Sequence, residues 1–162
     1  MTAVYEGRFQ NLMLYGNGLK GSIPDELFLL TSLQALDLNR NDLSSSSIPR
    51  HNGKLTKLEH LMLFLTGLSG ALPSEPGLAT SLKGIYLNTN QFHSTIPTEL
   101  GMLEILQNCF LEENYLTGSI PVEVCSLKRL ECHLHNNALE GSLPTEIGLL
   151  TGMTGLSLLP IK

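Results

Sequence analysis

The side chains with the clearest capacity to bind a metal lie late in the chain. His133 and His135 are two residues apart, so both imidazoles would project from the same face of an extended strand. Glu112 and Glu131 are close enough in the sequence pattern to complete a set of ligands for an ion such as Zn²⁺. Two histidines at this spacing are a weak signal alone. We therefore favour the alternative that they are solvent-facing strand residues with no metal.

Three cysteines offer thiol chemistry. Their odd number and the absence of a close pairing pattern do not indicate a disulfide framework. Cys109 and Cys132 occupy the same inward position in two successive units of the repeat described below, so a disulfide or redox pair is one interpretation. Cysteine is also a common buried residue, so we favour two buried free thiols. We expect Cys125 to be partly exposed and inert.

A glycine motif and a run of serines suggest two further kinds of site. Residues 16–21 match G-x-G-x-x-G, but a dinucleotide-binding loop needs a helix that starts inside the motif, and Ser-Ile-Pro follows here. The serines at 44–47 could be phosphorylated, but a loop that absorbs an extra residue is the simpler interpretation. The chain has no P-loop, kinase signature or nucleophile elbow. We expect no enzyme activity and no cofactor.

A recurring Ile-Pro or Leu-Pro dipeptide defines the elements that must position these residues. It occurs six times and uses six of the eight prolines. Successive copies are 25, 24, 24, 24 and 23 residues apart, and they begin at Ile23, Ile48, Leu72, Ile96, Ile120 and Leu143. The unit reads LxLxxNxLxGxIPxxLxxLxxL, and a partial seventh copy begins at Leu156. Copies in one phase predict a solenoid of stacked units.

Each segment of the unit has a physical role. The LxL segment alternates, so it predicts a short strand with inward leucines, and stacked units then form a parallel sheet. The glycine permits a tight bend, and the proline excludes a regular helix after it. The leucines that follow, three residues apart, predict a short helix or 3₁₀ turn on the outer side. No unit buries its leucines alone, so each needs its neighbours.

One polar position of the unit is predicted to be buried. It lies six residues before the dipeptide, or seven in the second unit, which has one extra residue. A buried amide needs hydrogen-bond partners, and the turns of neighbouring units supply backbone groups. We therefore predict a ladder whose rungs are Asn17, Asn41, Thr66, Asn90, Asn114 and Asn137.

With these motifs the chain resembles the plant-type leucine-rich-repeat proteins, which include ectodomains of receptor-like kinases and receptor-like proteins. The resemblance implies an α/β solenoid, with a parallel β-sheet on the concave face of an arc and short helical, 3₁₀ or extended segments outside. We interpret residues 1–162 as one domain of about six repeats of 23–25 residues and a truncated seventh. The family's cysteine-paired cap is missing, so we expect caps that are absent or atypical. The resemblance also implies a protein or peptide ligand, and a membrane span or kinase would lie outside this chain.

The outward residues of the predicted strands form columns on the concave face. Aromatic side chains and methionine are enriched in interface cores, and large apolar side chains stranded together in water are unusual. The alternative is that β propensity alone places them there. We favour a partner-binding face composed of Met13, Tyr15, Asp37, Met62, Phe64, Tyr86, Asn88, Phe110, Glu112, His133 and His135, with the four tyrosine and phenylalanine rings at its centre.

Charge and hydropathy argue against other partners. The net charge is −5, whereas nucleic acids and anionic membranes favour a basic face. No apolar run approaches the about 18 residues that cross a bilayer, so we expect no membrane insertion by this segment. The resemblance favours a cell-surface or secreted protein. The first residues contain no signal-peptide core and the chain has no Asn-x-Ser/Thr sequon, so an intracellular scaffold remains the alternative.

Overall fold

A computed structural model describes residues 9–44, 46–49, 55–74, 80–149 and 155–157 of the chain. Every strand pairing in this part is parallel, and the strands form two sheets. In chain order the strands are β1 (Asn11–Met13), β2 (Ala35–Asp37), β3 (His60–Met62), β4 (Ser69–Gly70), β5 (Gly84–Tyr86), β6 (Gln91–Thr95), β7 (Asn108–Phe110), β8 (Tyr115–Gly118), β9 (Glu131–His133), β10 (Ala138–Leu139) and β11 (Gly155–Ser157).

The larger sheet has seven strands in the order β1-β2-β3-β5-β7-β9-β11, one from each repeat. Its register stacks equivalent positions, so that Leu36 pairs with Leu61, Leu61 with Ile85, and Ile85 with Cys109. These inward side chains belong to one continuous hydrophobic core. The predicted leucine-rich-repeat solenoid with inward leucines is thereby confirmed.

The smaller sheet was not predicted from the sequence. It contains four strands in the order β10-β8-β6-β4, and each follows a strand of the larger sheet after a short turn. Gly70 and Gly118, at the predicted bend, have φ angles of +91° and +73°. Ser94 occupies the same repeat position with φ +86°, although it is not glycine. This sheet continues the stacking on a second side of the coil.

The outer side of the coil contains short 3₁₀ segments, as the leucine spacing predicts. Each begins directly after the proline of the repeat dipeptide, whose extended conformation ends the preceding segment. Their bounds are Asp25–Leu29, Thr98–Met102, Val122–Ser126 and Thr145–Leu149. None of the described helices has the length and apolar character required to span a membrane.

The polar ladder is present, and its central rungs are buried. The side-chain amides of Asn41, Asn90, Asn114 and Asn137 each donate to a backbone carbonyl in their own repeat and to one in the preceding repeat. Each side-chain oxygen accepts a backbone N–H from the preceding repeat. Asn17, in the first described repeat, is exposed, so the ladder is buried in the middle of the chain and open at this end.

The third rung differs because it is a threonine. The Thr66 hydroxyl lies 2.8 Å from the Leu63 carbonyl and 2.9 Å from Asn90 Oδ1. A hydroxyl has one hydrogen, so it satisfies one of these acceptors at a time. Leu43 N–H, in the preceding repeat, donates instead to the backbone carbonyl of Thr66.

One expectation about the core was wrong. Cys125 was predicted to be partly exposed, but only 5% of its surface is accessible, because its 3₁₀ segment packs against the segments of both adjacent repeats. Cys109 and Cys132 are buried, as predicted. Two other expectations lie partly outside the described residues: the serine loop includes residue 45, and the seventh repeat extends beyond residue 157.

Candidate partner-binding face

The strand register places the predicted partner-binding residues in columns on the concave sheet. Met62 pairs with Tyr86, Tyr86 with Phe110, and Phe110 with His133, so these four form one row across β3, β5, β7 and β9. All four are partly exposed, while the residue that precedes each of them on its strand is buried. The alternation that the sequence predicts is therefore in the expected register.

Three aromatic rings of this row are in contact. The Phe110 ring stacks on His133, with centroids 4.4 Å apart and planes 10° from parallel. On its other side Phe110 meets Tyr86 edge-on at 5.3 Å and 87°. His135 lies 6.1 Å from His133 with a tilted ring. We call Tyr86, Phe110, His133 and His135 the aromatic cluster.

A further outward column, which the sequence analysis did not include, lies at the start of each strand. It contains His60, Gly84, Asn108 and Glu131, which pair with one another across β3, β5, β7 and β9. The absence of a side chain at Gly84 makes room for its neighbour, since a Cβ atom there would lie 2.6 Å from Cε2 of Tyr86. The Tyr86 ring therefore turns toward this column and does not stand free above the sheet.

Polar residues of this column connect Tyr86 to His133. The Tyr86 hydroxyl donates to Asn108 Oδ1 at 3.3 Å, and Asn108 Nδ2 donates to Glu131 Oε2 at 3.4 Å. The other Glu131 oxygen lies 3.3 Å from His133 Nε2. Tyr86, Asn108, Glu131, His133 and Phe110 therefore form a closed ring of contacts. These contacts limit the rotamers of the partly exposed aromatic side chains.

The surroundings of Tyr86 shift the pKa of its hydroxyl. Burial of its phenol raises the pKa of Tyr86, and the negative charge of Glu131 raises it further. The tyrosine is therefore a neutral hydroxyl near neutral pH, able to donate a hydrogen bond.

Two polar atoms, one in the aromatic cluster and one next to it, have no hydrogen-bond partner among the described residues. These atoms, His135 Nδ1 and Glu112 Oε2, are buried at the atomic level. Glu112 and His135 lie two residues after Phe110 and His133, which are register partners, so the two side chains follow the ends of adjacent strands. Buried polar groups normally have partners, so this pair is unusual on the concave face.

The predicted residues at the first repeats do not join the cluster. Met13 and Tyr15 are 51% and 63% exposed, but β2 and β3 separate their strand from β5. Three strand spacings amount to about 14 Å. Asp37 and Asn39, on β2 and just after it, are engaged with the backbone, because Asp37 accepts the Asn39 N–H and Asn39 Oδ1 accepts the Phe64 N–H. The row of predicted residues is therefore interrupted at the second repeat.

The histidines and the cysteines are the candidates for metal and thiol chemistry. The described residues contain no group of three or more metal-ligating side chains suited to one ion. Cys109 and Cys132 are neighbours in the register of β7 and β9, and both are buried in the core as free thiols. A hydrogen bond to Cys132 and, to a smaller extent, burial raise the pKa of Cys109 well above its ordinary value. A raised pKa leaves little reactive thiolate, which disfavours nucleophilic chemistry.

Comparison with known proteins supports the fold. No family model matches the chain, and no curated protein sequence matches it. Among solved structures, the leucine-rich-repeat ectodomain of the Arabidopsis receptor kinase HAESA, in complex with an extended IDA peptide hormone, matches with a TM-score of 0.85 and 33% identity over 92% of this chain. This chain has the leucine-rich-repeat fold.

Other solved structures are also similar to it. A leucine-rich-repeat protein of Leptospira interrogans is 37% identical with a TM-score of 0.78, and a plant ice-binding protein is 29% identical with a TM-score of 0.76. The chain covers 25% of the HAESA structure, 36% of the Leptospira protein and 48% of the ice-binding protein. It therefore spans between a quarter and half of these neighbours.

Proposed function

We propose that this leucine-rich-repeat chain recognises a peptide or protein on its concave face, as part of a receptor-like cell-surface or secreted protein. The observation that carries the proposal is the aromatic cluster of repeats four to six, whose rings are partly exposed yet fixed by mutual contacts and hydrogen bonds. Fixed aromatic side chains lose little conformational freedom on binding, which makes them suitable interface anchors.

The similar structures support this choice but do not decide it. The HAESA ectodomain was solved with a peptide hormone, whereas another neighbour is an ice-binding protein. One fold therefore serves different ligands, and function has to be argued from the surface. A peptide offers apolar and polar side chains together, which suits a face that combines aromatic rings with carboxylates and imidazoles.

Selection from a random peptide library on the wild-type chain tests the proposal. Truncation of a central aromatic anchor typically costs about 2 kcal/mol or more, or roughly thirtyfold in affinity. We therefore expect Phe110→Ala to weaken the selected peptides by that factor. Tyr115→Ala is the matched control, since Tyr115 is a 64% exposed aromatic on β8, in the other sheet.

Two results would contradict concave-face recognition. The first is a set of peptides that bind Phe110→Ala as well as wild type. The second is a set of peptides that lose affinity with Tyr115→Ala. Thermal unfolding of both variants serves as the folding check. A variant whose structure is lost would be replaced by the milder Phe110→Leu, which keeps an apolar side chain but removes the stacking partner of His133.

A further inference from the structure

We infer that the concave face binds a basic side chain of its ligand, with Glu112 as the acceptor. This inference rests on the proposed function and adds the chemical class of the group that is recognised. It starts from the unsatisfied pair of Glu112 Oε2 and His135 Nδ1, which lies at the edge of the aromatic cluster.

The carboxylates of this region differ in how they are used. Glu131 contacts Asn108 through one oxygen and His133 through the other, so both of its oxygens serve the aromatic cluster. Glu113 is exposed and accepts a hydrogen bond from the Thr89 hydroxyl. Glu112 Oε2 is buried and without a partner among the described residues. Because the Glu112 side chain as a whole is half-buried, a change of its rotamer brings this unused acceptor to the surface beside the rings.

The charge of the face indicates the sign of the ligand group. The outward positions of β1, β2, β3, β5, β7 and β9, and the position two residues after each of these strands, contain no lysine or arginine. They contain three acids, Asp37, Glu112 and Glu131. A face that has acids and no lysine or arginine attracts and orients cationic groups.

The neighbouring rings favour a cation over a neutral donor. Glu112 lies two residues after Phe110, the last residue of β7, and both side chains are partly exposed on either side of the buried Leu111, so a donor bound to Glu112 would lie near the Phe110 and His133 rings. A guanidinium or ammonium group gains attraction from an aromatic ring within about 6 Å. Arginine is the better fit, because its planar group stacks on rings and donates to carboxylates through two N–H groups.

An arginine-to-citrulline exchange in the selected peptides tests the inference. Citrulline keeps the shape of arginine but has no charge. A charge-assisted hydrogen bond corresponds to about tenfold or more in affinity. We expect the Phe110-dependent peptides to contain an arginine or lysine whose neutral replacement weakens binding by that factor on wild type. On Glu112→Gln the same replacement should change the affinity by less than about twofold.

Glu113→Gln is the matched control. Glu113 is the next residue along the chain, its side chain is exposed, and the substitution removes the same charge. It should preserve the wild-type response to citrulline. A citrulline effect that persists in Glu112→Gln, or that disappears equally in Glu113→Gln, would overturn the inference. Phe110-dependent peptides that have no basic residue would also overturn it. In each of these cases concave-face recognition would stand. Peptides that bind independently of Phe110 would instead contradict the proposed function itself.

Discussion

Asn90→Ala should be among the most destabilising substitutions in the polar ladder. Only 7% of the surface of Asn90 is accessible, and its side chain connects repeats three and four. Its Oδ1 accepts the backbone N–H groups of Thr66 and Leu68, each at 3.1 Å. Its Nδ2 donates to the carbonyls of Leu63 and Leu87 at 2.7 and 3.0 Å. Truncation to alanine removes all four of these hydrogen bonds.

The magnitude follows from which groups keep another partner. The Leu63 carbonyl can still accept the Thr66 hydroxyl, and the Leu87 carbonyl can still accept Asn114 Nδ2. The N–H groups of Thr66 and Leu68 have no replacement acceptor among the described residues. A buried polar group left unpaired costs about 1–3 kcal/mol. Two such groups predict a loss of about 2–6 kcal/mol in the free energy of unfolding.

Urea denaturation followed by circular dichroism measures this loss, with Asn17→Ala as the matched control. Asn17 has the same ladder position, but its side chain is exposed and donates only to carbonyls of its own turn. Its truncation should change stability by less than about 0.5 kcal/mol. If Asn90→Ala is as mild as Asn17→Ala, the ladder does not satisfy the buried backbone and our reasoning is wrong.

Three further predictions concern strain, thiols and ring packing. Ser94→Gly should stabilise the chain by about 0.5–1 kcal/mol, because the strain of φ +86° in serine exceeds the extra unfolded-state entropy that glycine brings. Ser119→Gly is the control, since Ser119 is not among the residues with a positive φ, and a denaturant midpoint for Ser94→Gly no higher than that of Ser119→Gly would contradict the prediction. All three cysteines should be free, so titration of the unfolded, unreduced chain should find three thiols, and a result of one thiol would indicate a Cys109–Cys132 disulfide. In the native chain the raised pKa of Cys109 and Cys125 leaves less thiolate at a given pH and should slow their labelling. Gly84→Ala should displace the Tyr86 ring, seen as altered NMR shifts of that ring, and unchanged shifts would show that the ring does not occupy the space above Gly84.

The repeat made the coil predictable from the sequence, because one pattern specifies the inward side of every strand. The leucine phase predicted the register that pairs Leu61 with Ile85 and Met62 with Tyr86. The asparagine position predicted the ladder, because a buried amide has few ways to find partners except between coils. Repetition thus converts a weak local signal into a strong one.

The smaller sheet and the ring of contacts around Tyr86 were not predictable in the same way. Strands β6 and β8 contain glycine, serine and threonine at a bend, and their pairing depends on how adjacent coils stack. The direction of the Tyr86 ring depends on the missing side chain at Gly84, and the role of Glu131 depends on its distance from His133. A strand pattern gives the face of a residue, but the rotamer that links it to its neighbours comes from packing.

Site-specific photo-crosslinking tests concave-face recognition most directly. A photoreactive phenylalanine analogue would replace Met62, which lies beside Tyr86 on the concave sheet, or Thr117, which is exposed on β8 in the smaller sheet. The library-selected peptide would be the partner in both cases. We predict crosslinks from position 62 and none from position 117. Crosslinks from position 117 alone would place the partner on the other sheet and contradict the central claim.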